Sequence, residues 1–157
     1  MTSCEQNLKP LNPGFVAEVE RSFAAQPIMD LIGARLSLVE PGVVEITLPY
    51  CVDLTQQDGY LHAGIVTTIA DSACGYACLT RMPEGSAVLS VEFKINLLAP
   101  ARGPRFRFEG VVVKPGRTIT VVEGRALQFE ADGSAEKLVA TMSATVMTVQ
   151  GREALKH

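Results

Sequence analysis

The sequence predicts an α+β fold: an antiparallel sheet of about six strands curled around one long central helix. Three observations predict it. From Leu61 to Thr80 the chain runs twenty residues with a single formal charge, Asp71, a stretch too long for a strand and apolar nearly all round. Two strand-like runs precede that stretch and four follow it, divided by proline- and glycine-rich turn signals. The chain has 157 residues, 47% of them hydrophobic and 20% charged, which suits one domain with a sizeable core. A helix apolar on most sides and a sheet with one apolar face bury each other best when the sheet wraps the helix.

The elements follow in order. Gly14 to Gln26 places Phe15, Val16, Val19 and Phe23 at helical spacing opposite Glu18, Glu20 and Arg21, giving a short amphipathic helix ended by Pro27. It belongs to an N-terminal helical extension of about residues 1–30. Ala34–Glu40 and Val43–Leu48 are strands split by Pro41-Gly42, a hairpin signature. A loop from Pro49 to Gly59 leads into the long helix. After Met82-Pro83-Glu84-Gly85, Val91, Phe93, Ile95 and Leu97 alternate with Ser90, Glu92, Lys94 and Asn96, which marks a strand with one buried face. Pro100 to Pro104 is a turn, and Arg105–Lys114 and Thr118–Glu130 join across Pro115-Gly116-Arg117. Asp132-Gly133 signals another turn before the last strand, Lys137–Val149, and the tail from Gly151 is expected to fray. Strands joined by short turns are expected to be antiparallel neighbours. With no repeat or linker, residues 1–157 read as a single domain.

Composition narrows the function. Net charge is −3 and no dense basic cluster occurs, which argues against a nucleic-acid partner. Met1-Thr2-Ser3-Cys4-Glu5-Gln6 lacks the basic and then apolar regions of a signal peptide, so a cytoplasmic location is expected. Leu61–Thr80 has the length of a membrane span, but it carries Asp71, His62, Ser72, two glycines and three threonines. A carboxylate at a span's centre would cost roughly 2.5–3.5 kcal/mol, so no membrane partner is expected. Cys4, Cys51, Cys74 and Cys78 form no Cys-x-x-Cys pair, and the histidines are His62 and His157, so neither a metal nor a cofactor is expected. Cys74 and Cys78, one helical turn apart, suit burial as small apolar residues.

The candidate chemistry lies between Gln56 and Asp71. Gly59 permits a tight turn, and His62-Ala63-Gly64 stands where loop becomes helix. The first N–H groups of a helix lack internal partners and sit at the positive end of its dipole, so the N–H of Ala63 or Gly64 can receive a developing oxyanion. Capping or packing is the plainer role for the His62 side chain. A lone carboxylate in an apolar helix is costly unless it works, which singles out Asp71. Asp71 lies nine residues beyond His62, roughly 13 Å along the axis and on the opposite face. If both serve one substrate, one must come from another subunit. That predicts a dimer in which two helices meet through small residues such as Ala70, Gly75 and Ala77.

Gln56-x-x-Gly59-x-x-His62-Ala63-Gly64, Asp71, Ser90-Val91-Glu92-Phe93 and Pro100-x-x-Gly103 together resemble the hotdog-fold thioesterases of the phenylacetyl-CoA (PaaI-like) branch over about residues 30–149. The resemblance implies a hotdog fold and an acyl-CoA thioesterase acting on an aryl- or medium-chain acyl-CoA, as a homodimer or a dimer-of-dimers tetramer. It implies Asp71 as nucleophile or general base for water, the Ala63 N–H as donor to the thioester oxygen, and His62 as support for that loop. Gln56 would orient water or substrate, and Ser90 would assist water near the acid. Two departures stand out: Ala63 replaces the middle glycine of His-Gly-Gly, keeping its N–H, and Gln56 replaces the frequent asparagine. Arg102, Lys114 and Arg117 are candidates for the CoA phosphates, and the acyl chain is placed near Tyr76, Cys74 and Met82. The alternatives are a non-catalytic acyl-CoA-binding hotdog protein, which would bind without turnover, and an enoyl-CoA hydratase of the same fold, which would release no thiol.

Overall fold

The computed structural model describes residues 10–130, 133 and 136–150. Cys4, Asp132 of the proposed turn and the tail from Gly151 lie outside these described residues. The elements run α1 (Phe15–Ala24), α2 (Pro27–Ile32), β1 (Arg35–Glu40), β2 (Val43–Pro49), α3 (Ala63–Leu79), β3 (Ala87–Leu97), β4 (Arg105–Lys114), β5 (Ile119–Phe129) and β6 (Glu136–Val149). All six strands form one antiparallel sheet in the order β1-β2-β4-β5-β6-β3. The sheet's inner face packs on α3, which touches β2 through β6. This is the hotdog architecture.

The core follows from strand alternation. Val44, Ile46 and Leu48 of β2, Phe106 and Phe108 of β4, Val122 of β5 and Val146 of β6 are fully buried against Ile69, Ala73, Ala77 and Cys78 of α3. Two glycines let the helix come this close. Gly110 and Gly124 pair across β4 and β5, and a Cβ at Gly110 would lie 2.3 Å from the Ala73 carbonyl oxygen. At the other end of α3, the buried Thr80 Oγ1 donates to the Ala77 carbonyl and accepts from Gly42 N, both at 2.7 Å. That ties the helix C-terminus to the β1–β2 hairpin, where Gly42 has φ 83°.

The structure departs from the sequence reading at five points. Pro27 does not only end α1; it opens α2 as its first residue, where its missing N–H costs nothing. Glu18 is buried, not on a polar face, because it pairs with Arg21 at 3.2 Å and accepts from Asn12. The β3–β4 pair is not made: β3 pairs with β6 and β4 with β2 and β5, so the segment between β3 and β4 crosses the open end of the sheet. The apolar face of β3 is not buried. As an edge strand that α3 covers only in part, it leaves Val91 56%, Phe93 45% and Leu97 53% exposed. Finally, Ala70, Gly75 and Ala77 are buried inside the chain, so a helix of another subunit does not meet α3 through them. Among the described residues no helix is long and apolar enough to cross a membrane.

Candidate active site

The turn before α3 is fixed by backbone hydrogen bonds. Gln56 N donates to the Tyr60 carbonyl, and Gly59 N, with φ 80°, donates to the Gln56 carbonyl. Tyr50 Oη donates to the Gly59 carbonyl at 2.9 Å. Leu61 N and His62 N then donate to the carbonyls of Ala101 and Leu54, each at 2.9 Å. These bonds aim the start of the helix. His62 is the N-cap, and its Nδ1 accepts from Gly64 N at 2.9 Å. A neutral ring accepting at Nδ1 carries its proton on Nε2. A Cβ at Gly64 would sit 3.0 Å from Nδ1, so a larger residue there would push on the capping ring.

This cap decides between the two candidate donors. The Gly64 N–H is occupied, whereas the Ala63 N–H has no partner among the described residues. Ala63 opens onto a cleft of about 510 Å³ walled mainly by apolar side chains, including Leu61, Val66, Leu97 and Val139. Gln56 lines the same cleft, but its Oε1 is turned back to accept from Asp58 N. Arg102 is exposed beside the cleft residue Ala101, its backbone N–H held by Gln128 Oε1 at 2.8 Å. Lys114 and Arg117 are exposed at the β4–β5 turn and do not line the cleft.

Asp71 lies on the other part of the helix surface. The C-terminal half of α3 is buried, but Thr67, Thr68, Asp71 and Ser72 form an open, half-buried face. Asp71 is therefore less buried than the apolar run implied, because β3 does not close over it. Ser90 Oγ donates to Asp71 Oδ1 at 2.7 Å. Strict alternation would turn Ser90 away from the helix, on the side opposite Phe93. A β-bulge between Ser90 and Glu92 resets the register, so that Ser90 pairs with Val146 and Phe93 with Ala144, two residues of one face. The bulge is what brings Ser90 to the acid.

Asp71 and Ser90 face a cavity of about 290 Å³, and Asp71 borders a second of about 340 Å³ walled by Thr67, Thr68 and Phe93. Neither shares a residue with the Ala63 cleft. Within one chain the acid and the free helix N–H are thus kept apart. Gln26 borders both Asp71 cavities, and the sequence reading did not single it out; its only signal was its place before Pro27. Cys74 and Met82, proposed near the acyl chain, are instead packed in the core, while Tyr76 is buried at the wall of the 290 Å³ cavity. Burial pushes the Cys78 thiol up to about 12 and holds Cys74 protonated more firmly still, so neither is a nucleophile near neutral pH. Among the described residues no group of three His, Cys, Asp or Glu side chains is placed to hold a metal.

Comparison with known proteins agrees with this architecture. The family model of the thioesterase superfamily matches residues 58–132. A provisionally named esterase of Saccharolobus solfataricus is 33% identical over 110 residues, covering 69% of this chain and 76% of that protein. The crystal structure of a thioesterase family protein from Silicibacter pomeroyi is 54% identical and superposes with a TM-score of 0.85, over 88% of this chain and 100% of that one. The PaaI protein of the E. coli phenylacetic acid degradation operon shares the fold at 17% identity, with a TM-score of 0.79 over 90% of this chain and 97% of that one. With sequence, strand order and central helix in agreement, this chain belongs to the thioesterase superfamily.

Proposed function

We propose that the protein is an acyl-CoA thioesterase, hydrolysing an aryl- or medium-chain acyl-CoA at a site shared by two copies of the chain. The observation that carries this reading is the Asp71–Ser90 pair at 2.7 Å. The serine proton fixes one carboxylate oxygen and leaves the other facing a cavity with room for water. Asp71 acts as general base: it takes a proton from water as the water oxygen bonds to the thioester carbon. The carbonyl electron pair moves to oxygen, where the partner's free helix N–H at its copy of position 63 receives it. Collapse breaks the carbon–sulfur bond, and the thiolate takes the proton from the Asp71 carboxyl. A thiolate leaves readily, so one acid and one helix N-terminus suffice for this chemistry.

Two copies are required by this reading because Asp71 and Ala63 open into separate cavities of one chain. Gln56, beside Ala63, orients the substrate from the same side. The names of the relatives, an esterase and a thioesterase, support hydrolysis as the reaction class. The test is free-thiol release from a panel of aryl- and straight-chain acyl-CoAs by the native protein and by Asp71→Asn. Turnover by the native protein, lost at least about a hundredfold in the folded variant, is expected. Equal rates for the two would remove Asp71 as the catalyst.

A further inference from the structure

We propose that Gln26 is a second holder of the attacking water, facing Asp71 across the substrate cavity. The inference rests on the reading of Asp71 as the base. Gln26 Oε1 is buried and has no hydrogen-bond partner among the described residues. Buried amide oxygens are rarely left so, because an unmet acceptor costs about 1–3 kcal/mol. Among the described residues, its side chain makes no structural hydrogen bond that explains its polarity. Gln26 stands at the N-cap of α2 yet makes no side-chain capping bond. Its backbone is held without the amide, with Gln26 N donating to the Phe23 carbonyl at 3.0 Å and Met29 N donating to the Gln26 carbonyl at 3.1 Å.

Its placement supplies a task. Gln26, Asp71 and Ser72 are the residues common to the walls of the 290 and 340 Å³ cavities, so Gln26 stands beside both spaces that the acid borders. Asp71 Oδ1 is committed to Ser90, and Oδ2 has no partner among the described residues. A water there has two protons for two unpaired acceptors, Asp71 Oδ2 and Gln26 Oε1, the buried amide turning into the cavity to take its share. A polar cavity of this size readily holds one.

The two acceptors differ in a useful way. The carboxylate is basic enough to remove a proton, whereas the amide oxygen is not, and only binds one. The proton toward Asp71 is transferred as the carbon–oxygen bond forms, and the proton toward Gln26 stays on the oxygen. The tetrahedral intermediate therefore carries a hydroxyl. After the thiolate has left with the Asp71 proton, this hydroxyl is the acid's own and ionises to solvent. Gln26 thus aims the water's lone pair without competing for its proton.

Steady-state thiol release by Gln26→Leu and Gln26→Ala, on an acyl-CoA that the native protein hydrolyses, tests this. Folding and association are checked first, by circular dichroism and sedimentation. Leucine keeps the bulk and removes the acceptor; alanine removes both. A water-holding role lowers kcat about 10- to 100-fold in both variants, leaves KM within about twofold, and does so equally for short, long and aryl acyl groups. Native activity in Gln26→Leu would make the residue a packing element and overturn the proposal. So would a loss confined to KM or to some acyl groups, which would assign the amide to the acyl chain. Absence of thiol release by the native protein would instead sink the thioesterase reading itself, and native rates in Asp71→Asn would remove Asp71 as the base; either result takes the role of Gln26 with it.

Discussion

Single atoms decide which groups of this site are free to react. Two N–H groups at the start of α3 were equivalent on sequence grounds, and the His62 ring removes one of them by accepting from Gly64 N at 2.9 Å. The Ala63 N–H is left open toward the cleft. Asp71 is divided in the same manner, one oxygen engaged by Ser90 and the other free among the described residues. Ser90→Ala should therefore lower kcat about tenfold, near the lower end of the 1.5–3 kcal/mol that a hydrogen bond to a charged group is worth. Ser90→Thr, which keeps the hydroxyl on a residue suited to strands, should recover most of it. A loss as deep as that of Asp71→Asn would mean that Ser90 takes part in the chemistry and does not merely orient the acid. Asp71, His62, Ala63 and Gly64 were legible because a lone carboxylate, a helix start and a small-residue pair each have a physical signature in sequence. The nearness of Ser90 to Asp71 was legible only through the family resemblance, since period two turns that serine away and only the bulge restores it. Gln26 was illegible because a solvated glutamine and an aimed one look the same in sequence.

At the scale of elements, the helix–sheet contact is the most sensitive part of the fold. Gly110 and Gly124 face each other in β4 and β5 under α3, and the Ala73 carbonyl fills the space a Gly110 side chain would need. Gly110→Ala meets a backbone atom that cannot swing aside, so its cost should reach the upper end of about 1–3 kcal/mol or exceed it. Gly124→Ala meets the Cys74 sulfur at 2.9 Å, a side-chain atom, and should cost less. Urea unfolding of the two variants measures the difference, and equal small losses would show that the contact relaxes. The buried thiols of α3 add a pH dependence. Burial raises Cys78 from 9.0 to about 12 in the folded chain, and raises Cys74 as well. Above pH 9 the unfolded chain has released these protons and the folded chain keeps them, so unfolding gains as pH rises. Stability should fall between about pH 9 and 12, by at most about 1.4 kcal/mol per pH unit for each thiol. Cys78→Ala should flatten that slope in a melting series, and an unchanged slope would place the effect elsewhere. The helix and all six strands were legible from periodicity and turn residues, but the sheet order was not. Short turns imply neighbours, and the segment from Leu98 to Pro104 instead carries the chain across the sheet's end, with Leu98 N bonding the Val139 carbonyl.

For the whole molecule, the proposed function makes one chain half a site. Its acid and its free helix N–H face separate cavities, and β3 ends the sheet with Leu89, Val91, Phe93 and Leu97 exposed. Such an apolar edge is a pairing surface unless something covers it. A second copy that covered it would also approach the open face of α3 that carries Asp71. The helix contact expected through Ala70, Gly75 and Ala77 is excluded, because those residues already hold α3 to its own sheet. Two copies can be tested for a shared site with variants that each damage a different half. Asp71→Asn removes the base. Ala63→Pro removes one N–H at the first helical position, where proline fits without disturbing the helix. Each variant alone should be nearly inactive. If the site takes its acid from one chain and its donor from the other, a hybrid dimer contains one undamaged site and one doubly damaged site. Equal mixing with free exchange makes about half the dimers hybrid, so activity should recover to about a quarter of native. If both groups served the same site from one chain, every site in the mixture would carry one lesion and nothing would recover. A mixture as inactive as its components, with exchange shown by mass spectrometry, would refute the shared site and leave each chain to work alone.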